Sequence, residues 1–224
     1  MRWLRLAAAR ITAERERLTD LDAAIGDGDH GINMDRGFRE VVRRLDAGAC
    51  PTDPPAAVLE ATGRILIGTV GGASGALYGR GFQHAGITVG RHARVAEIVD
   101  APAGDQADGR PPDGREARAL IALTAAIEAI AALGRAVPGE KTMLDALAPA
   151  RMAFAHAVQA GAPLPTVTAQ AAGAAEAGAL ATVPLLATKG RASYLGERSI
   201  GHLDPGAASS ALLLRALADA AAEG

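Results

Sequence analysis

Residues 21–34, with the sequence LDAAIGDGDHGINM, constrain this chain more than any other stretch. They hold three aspartates (Asp22, Asp27 and Asp29) and three glycines. Three carboxylates crowded onto a tight turn repel one another by several kcal/mol at low effective dielectric, so they are stable together only where water separates them or a cation neutralises them. Oxygen ligands suit hard cations, and Mg²⁺ in proteins usually takes a few carboxylates along with water and substrate phosphates. The segment therefore predicts a Mg²⁺–phosphate site with these three aspartates as ligands.

The acidic segment has two other interpretations, an EF-hand loop and a solvated turn. An EF-hand calcium loop counted from Asp27 would need an acidic or amide residue at its fifth position and a glutamate at its twelfth. Those positions hold Gly31 and Phe38, so the EF-hand is excluded. A solvated acidic turn stays open from this segment alone.

The composition indicates an all-α protein. Hydrophobic residues make up 49% of the 224 positions but aromatic residues only 3%. Much of the hydrophobic content is alanine, the best helix former. A net charge of -2 gives no electrostatic footprint for nucleic acid. The single cysteine, Cys50, excludes an internal disulfide and a cysteine-based zinc site. No apolar run is expected to span a membrane and the amino end lacks a signal-peptide pattern, so the expected location is the cytoplasm.

The spacing of apolar residues predicts about eight helices in a single domain over residues 1–224. Short loops between them favour an antiparallel bundle or barrel, with the functional segments at one rim. The segment 101–115 is rich in proline, glycine and charge, which predicts a mobile loop and not a domain boundary. The predicted helices cover about residues 2–18, 34–45, 56–67, 116–133, 143–158, 166–181 and 206–221, with a further helix opened by Ser74.

Glycines at positions 68, 71, 72 and 75 surround Ala73 and Ser74. If Ser74 opens a helix, the helix N-terminus and the serine hydroxyl together form an anion site. A tight turn between two helices uses glycines equally well, and both interpretations stay open. The segment is not a Walker A loop, because no Gly-Lys-Ser/Thr follows.

The stretch 189–207 is too polar and glycine-rich for a core. Its cations Arg191 and Arg198 either face a polyanion or lie on a solvated surface. Asp204-Pro205-Gly206 predicts a turn into the last helix, with proline in the first helical turn.

Four ordered stretches resemble the nucleotide-binding L subunit of dihydroxyacetone kinases, the DhaL family. They are the motif from Leu18 to Phe38, GGASG at residues 71–75, GEKTMLDAL at residues 139–147, and GRASYLGERSIGHLDPGA at residues 190–207. The resemblance runs in order across nearly the whole chain. It implies an eight-helix barrel that holds ADP or ATP through magnesium at one end.

The resemblance also implies roles for individual residues where the motifs match. Asp22, Asp27 and Asp29 would bind two Mg²⁺ ions that bridge the nucleotide phosphates. The implied nucleotide contacts are His30, Gly31, Ile32 and Asn33, then Ala73 and Ser74 at the phosphates, Gly134 and Met143 at the adenine, Arg191, and the turn Asp204, Pro205 and Gly206 over the base and ribose. No catalytic residue is assigned to this chain, and His84, His92, His156 and His202 are expected to be structural or exposed.

By this resemblance, the chain supplies the nucleotide half of a two-component kinase for dihydroxyacetone or a related short ketose. The ketose would be held on a separate DhaK-type K subunit, and the phosphoryl donor would be either free ATP or a phosphotransferase-system protein that recharges bound ADP. Two alternatives stay open: a nucleotide module of a fatty-acid kinase, and a regulatory ADP-binding subunit that acts on a transcription regulator.

Overall fold

The architecture comes from a computed structural model, which describes residues 1–48, 54–99 and 114–223, without the side chains of residues 94–99. All elements in these ranges are helices, and no strand occurs among them, which confirms the all-α prediction. They are α1 (Arg2–Ala13), α2 (Arg15–Ile25), α3 (His30–Asp46), α4 (Pro55–Thr69), α5 (Gly72–Val99), α6 (Arg115–Gly134), α7 (Leu144–Gln159), α8 (Leu164–Leu180), a 3₁₀ segment (Arg191–Ser199) and α9 (Pro205–Ala222).

The described residues form ten helices, not the predicted eight. The expected first helix over residues 2–18 is divided at Glu14 into α1 and α2, and the 3₁₀ segment occupies a stretch that was expected to be a loop. Apolar spacing does not reveal the break at Glu14, because the sequence on both sides of it keeps a helical pattern. It does not reveal the 3₁₀ segment either, because that stretch is polar and rich in glycine. Cys50 and residues 101–113 of the expected mobile loop lie outside the described residues.

One boundary error matters for the site. The sequence predicts that the third helix begins at Met34, but α3 begins at His30. Gly31, Ile32 and Asn33 therefore form the first helical turn and do not belong to the acidic loop. The glycine and the polar residues concealed this start, since they resemble loop residues in a pattern based on apolar spacing. The prediction that prolines lie at the start of two helices is confirmed, because Pro55 lies in the first turn of α4 and Pro205 in the first turn of α9.

Neighbours in the helix order pack against one another, and the last helix returns to the first. Contacts run from α1 to α3, then stepwise from α3 to α9, and α9 packs on α1. Trp3 on α1 stacks on Phe82 of α5, with ring centroids 5.6 Å apart, and its indole N–H donates to the carbonyl of Leu213 on α9 at 2.9 Å. This packing brings the start of α3, the start of α5 and the start of α9 to one region.

No apolar run was expected to span a membrane, but helix α6 is long and apolar enough to do so by length and composition alone. It also packs against α5 and α7, and Ile127 and Ile130 are buried in the core. A helix in the wall of an all-α domain meets the same two criteria, so they do not place α6 in a membrane.

Alanine and glycine let the helices of the second half approach closely. Ala171, Ala172 and Ala175 on α8 are completely buried. A Cβ atom added to Gly178 would lie 2.2 Å from the carbonyl oxygen of Asp145 and 2.8 Å from Cγ of Pro149, both on α7. A Cβ atom added to Gly173 on the same helix would meet no atom within 4 Å.

These two glycines predict stability changes of opposite sign. Gly178→Ala should lower the free energy of unfolding by about 1–3 kcal/mol, because the added methyl group overpacks the α7–α8 contact. Gly173→Ala should raise it by about 0.5–1 kcal/mol, because alanine restricts the unfolded chain without a clash. Urea unfolding followed by circular dichroism measures both. Equal changes in the two variants would contradict the close approach of α7 and α8.

Candidate functional site

The turn between α2 and α3 is built from glycines. Gly28 has a φ of 73°, in the left-handed region that glycine adopts without strain. A Cβ atom on Gly26 would lie 2.2 Å from Oδ1 of Asp22. Only glycine allows the backbone to pass this close to the Asp22 carboxylate, so these two residues shape the acidic turn.

The three aspartates converge on one another as the sequence predicts. One oxygen from each of Asp22, Asp27 and Asp29 lies within 4.8 Å of those of the other two. Asp22 is 9% exposed, while Asp27 and Asp29 are exposed to solvent. Three converging carboxylate oxygens with room for water fit a hard divalent cation that keeps part of its hydration shell.

Asp22 also fixes the start of α3. Its Oδ2 accepts from the backbone N–H groups of Asp29 at 2.9 Å and His30 at 3.1 Å. The carboxylate thereby satisfies two N–H groups at the helix start that have no partner within the helix. Its second oxygen, Oδ1, is the one that borders Gly26. The buried member of the acidic cluster is therefore held in place by the helix that follows it.

Arg191 is the cation nearest the cluster among the described ion pairs. Its Nη1 lies 3.3 Å from Oδ2 of Asp27, with both side chains partly in solvent. The 3₁₀ segment that begins at Arg191 also packs against α2. Arg198, the other arginine of the stretch 189–207, is exposed. The structure thus brings Arg191, not Arg198, to the acidic cluster.

Ser74 lies beside the start of α3. Helix α5 begins at Gly72, two residues earlier than predicted, so Ser74 is in its first turn, and the hydroxyl lies 3.0 Å from Nδ1 of His30. A Cβ atom on Gly71 would lie 3.0 Å from the side-chain nitrogen of Asn33. Two helix N-termini, each carrying partial positive charge, therefore meet next to the aspartates. Ala73 and Ile32 are exposed there.

The turn before α9 lies against Met143. Asp204 caps α9, where Oδ2 accepts from the N–H of Ala207 at 2.7 Å, and its own N–H donates to Oγ1 of Thr182 at 3.0 Å. A Cβ atom on Gly206 would lie 3.5 Å from Cβ of Met143, which is buried. The sequence-predicted Met143 and Asp204-Pro205-Gly206 turn are therefore neighbours.

Gly134 lies near α5. It ends α6, and the next residue, Arg135, has a left-handed φ of 47°. A Cβ atom on Gly134 would lie 3.5 Å from Leu77 of α5. Leu77 is one turn beyond Ser74, so α5 connects Gly134 with the region around Ser74.

No role is predicted for Lys141 from the sequence, yet its side chain is buried, with 1% of the residue exposed. Its ammonium group donates to the carbonyl oxygens of Thr182 at 2.6 Å and Val183 at 3.4 Å, and also to that of His202. It thereby ties the chain after α8 to the residues just before Asp204. A lysine in a polar loop is expected to be solvated, so its burial could not be read from the motif.

A buried polar cluster was also missed. Both ring nitrogens of His30 are engaged, by Ser74 and by the hydroxyl of Ser209 at 2.9 Å, and Tyr78 contacts Ser209 at 2.7 Å and Ser210 at 2.8 Å. The pairing of serines on α9 with a tyrosine on α5 depends on the helix packing, which the sequence pattern does not contain. The remaining histidines agree with expectation: His84 is half-buried, and His92, His156 and His202 are exposed.

Known proteins resemble this chain over most of its length. The model of the DAK2 domain matches residues 24–219. The chain is 38% identical to the "PEP-dependent dihydroxyacetone kinase, ADP-binding subunit DhaL" of Escherichia coli (strain K12), over 99% of this chain and 95% of that protein. It is 41% identical to the ADP-binding subunit DhaL of PEP-dependent dihydroxyacetone kinase 2 of Listeria innocua, over 93% and 88% of the two chains.

A solved structure has a similar fold. The dihydroxyacetone kinase from C. freundii, in complex with AMP-PNP and Mg²⁺, matches 97% of this chain with a TM-score of 0.68 and 25% sequence identity. The match covers 33% of that chain, so this protein spans about a third of its length.

The burial of Asp204 predicts a dependence of stability on pH. Burial raises the pKa of its carboxyl group to about 7 from an ordinary value of 3.8; the N–H of Ala207 opposes the shift, Asp145 adds to it and Lys141 opposes it. Between these two pH values the folded protein holds a proton that the unfolded chain releases. This contribution to stability is therefore greatest at low pH and is lost as the pH rises towards 7.

Asp204→Asn isolates this effect, because asparagine keeps a capping oxygen and does not titrate. The free energy of unfolding of the natural chain, minus that of the variant, should fall between pH 4 and 7 by up to about 1.4 kcal/mol per pH unit. Urea unfolding of both proteins without metal or nucleotide, at half-unit steps of pH, measures it. A difference that stays constant with pH would show that Asp204 is ionised when folded.

Proposed function

The chain belongs to the DAK2 domain family, and from that premise we propose that it is the magnesium- and nucleotide-binding subunit of a two-component dihydroxyacetone kinase. One observation carries the proposal: the oxygens of Asp22, Asp27 and Asp29 converge within 4.8 Å beside the first turns of α3 and α5. The relatives named as ADP-binding subunits support it. In this account the ring of contacts through α1 and α3–α9 corresponds to the family's eight-helix barrel, with α2 and the 3₁₀ segment added to it.

The three aspartates would hold two Mg²⁺ ions against the nucleotide phosphates. When bound, magnesium neutralises charge on the phosphoryl group that is transferred. Arg191, now paired with Asp27, would turn towards the phosphates once a cation replaces it at the carboxylate. The first turns of α3 (His30, Gly31, Ile32 and Asn33) and α5 (Ala73 and Ser74) would supply backbone and hydroxyl donors to the phosphates.

The base would lie where Met143 meets the turn before α9. Met143 and Gly206, which lie side by side, would contact the base, and Gly134 would border it near Leu77. Lys141 holds the segment that leads to Asp204 and Pro205. None of these residues needs to act as a nucleophile or base. Catalysis of phosphoryl transfer rests mostly on positioning and electrostatics, and this chain would position the donor only.

The acceptor would be held elsewhere, on a DhaK-type K subunit, in the cytoplasm. The relatives are named as PEP-dependent kinases, which favours ADP as a bound coenzyme that a phosphotransferase-system protein recharges, over free ATP. Their names also favour a ketose kinase over a fatty-acid kinase module or a subunit that acts on a transcription regulator.

Asp27→Ala should abolish Mg²⁺-dependent binding of ADP. Asp27 is exposed; Asp22 accepts the N–H groups at the start of α3, and Asp29 directly precedes that helix. Loss of the Asp27 side chain therefore removes a cation ligand and leaves the helix start intact. Isothermal titration with ADP, in Mg²⁺ and in chelator, measures the effect. Phosphorylation of dihydroxyacetone in the presence of the K subunit should be lost in parallel.

Asp20→Ala is the matched control. Asp20 is an exposed carboxylate on α2, close to Asp22 in sequence but outside the cluster, so its removal changes the charge of the region equally. This variant should bind Mg–ADP as the natural chain does. Normal binding by Asp27→Ala, or equal losses in the two variants, would contradict the proposed site.

A further inference from the structure

A single guanidinium connects the first turn of α3 with the end of α4, just before α5 begins. Arg36 lies in the second turn of α3, and its Nε donates to the carbonyl oxygen of Thr69, the last residue of α4, at 2.8 Å. Its Nη2 donates to Oδ1 of Asn33, in the first turn of α3, at 2.7 Å. Arg36 therefore ties one helix start that faces the proposed phosphate site to the chain that leads into the other.

Two glycines bring the backbones close enough for these contacts. A Cβ atom on Gly37 would lie 2.1 Å from Cγ2 of Val70, and one on Gly71 would lie 3.0 Å from Nδ2 of Asn33. The carbonyl oxygen at the end of α4 has no partner within its helix and carries partial negative charge, so it attracts a cationic donor. The guanidinium of Arg36 is thus held between a helix end and a side-chain amide.

The chemistry of arginine fixes the orientation of the Asn33 carboxamide. A guanidinium has five N–H donors and no acceptor, so the Asn33 atom that faces Arg36 is the acceptor oxygen Oδ1. The amide nitrogen Nδ2 lies on the other branch of the carboxamide, nearest to Gly71, the residue before α5. This direction depends neither on a tautomer nor on a group that titrates.

The amide nitrogen of Asn33 is a donor without an acceptor in the described part of the chain. Asn33 is only 6% exposed. The one fully buried side-chain polar atom that lacks a partner among the described residues is Oγ1 of Thr62, so Nδ2 of Asn33 reaches the surface between the starts of α3 and α5. A fixed N–H donor between two helix N-termini is placed to bind an anionic oxygen.

We propose that Arg36 is a positioning residue that holds the Asn33 carboxamide with Nδ2 towards the nucleotide, so that Asn33 donates an N–H to a phosphate oxygen. The phosphate as ligand rests on the proposed function, whereas the orientation of the carboxamide rests on the contacts of Arg36. Arg36 itself does not touch the nucleotide. It keeps the carboxamide from turning its own oxygen, which a phosphate would repel, towards the site.

Arg36→Met tests this role, because methionine removes both donors and keeps an apolar stem. Without the guanidinium the Asn33 carboxamide is free to turn, and the affinity for Mg–ADP should fall about three- to tenfold. Asn33→Ala removes the donor itself, and its loss should be greater, about ten- to a hundredfold. The affinity for adenosine, which has no phosphate, should be unchanged in both variants. Isothermal titration measures all of these affinities.

A double-mutant cycle separates positioning from direct action. In the Asn33→Ala background, Arg36→Met should lower Mg–ADP affinity by less than about twofold, because the carboxamide that it orients is gone. Losses that multiply would show that the charge of Arg36 acts on the phosphates by itself, and they would overturn the proposal. Equal losses of ADP and adenosine affinity in Arg36→Met would also overturn it, because they would indicate a general change of the fold.

Arg64→Met is the matched control. Arg64 lies on α4 with its side chain 61% exposed, and its Nη1 is 3.8 Å from Oε2 of Glu60. The variant therefore removes the same charge from the same pair of helices and leaves the contacts of Asn33 in place. Its affinity for Mg–ADP should stay within about twofold of the natural value. A loss equal to that of Arg36→Met would assign the effect to net charge and contradict the proposal.

NMR of the natural chain gives a second measurement, which holds even if Arg36→Met folds poorly. The Nδ2–H signals of Asn33, assigned by their absence from Asn33→Ala, should shift when Mg–ADP is added and not when adenosine is added. Signals that Mg–ADP leaves unchanged would overturn the role of Asn33 and, with it, that of Arg36.

The outcomes separate this inference from the proposed function. If the natural chain does not bind Mg–ADP, the nucleotide function and the phosphate contact of Asn33 are overturned together. If the natural chain binds Mg–ADP and the two losses in the cycle multiply, the nucleotide function stands and the positioning role of Arg36 is overturned alone.

Discussion

Mutual repulsion of three carboxylates is the constraint on which the site depends. Two unit charges 4.8 Å apart repel by about 3 kcal/mol at an effective dielectric near 20, and by less where water reaches them. The fold meets this cost locally in two ways: Asp22 accepts from two N–H groups at the start of α3, and Arg191 lies beside Asp27. Both arrangements leave carboxylate oxygens facing one another, which is the arrangement that a bound divalent cation stabilises.

The rest of the architecture places other groups around that cluster. Close packing of α3 on α2 requires glycine at position 31, where a Cβ atom would lie 2.0 Å from the carbonyl oxygen of Arg15. The same packing lets the His30 ring reach both Ser74 on α5 and Ser209 on α9. Lys141 fixes the backbone that leads into α9. Buried polar contacts thus hold the starts of α3, α5 and α9 next to one another, and the exposed carboxylates of Asp27 and Asp29 lie beside them.

The sequence predicts the parts of this site that are local and misses those that depend on packing. The acidic turn, the glycine-rich segment around Ser74 and the turn at Asp204 can be recognised from residue type and spacing, because each forms within a few positions of the chain. The start of α3 was placed four residues late, since Gly31 and Asn33 resemble loop residues although they pack against α2 and Gly71. Tyr78, Ser209 and Lys141 gave no signal, because their long-range partners lie 41 to 179 residues away. The break at Glu14 was missed because apolar spacing continues across it.

The central claim is that Asp22, Asp27 and Asp29 hold divalent cations which in turn hold the nucleotide phosphates. A crystal structure of this chain with ADP and Mn²⁺, with manganese located by anomalous scattering, tests it most directly. The account predicts two manganese peaks that contact oxygens of all three aspartates and phosphate oxygens of the ADP, with the phosphates beside Ser74. Manganese elsewhere, or ADP bound with its phosphates against Ser74 and no cation between them and the aspartates, would contradict it.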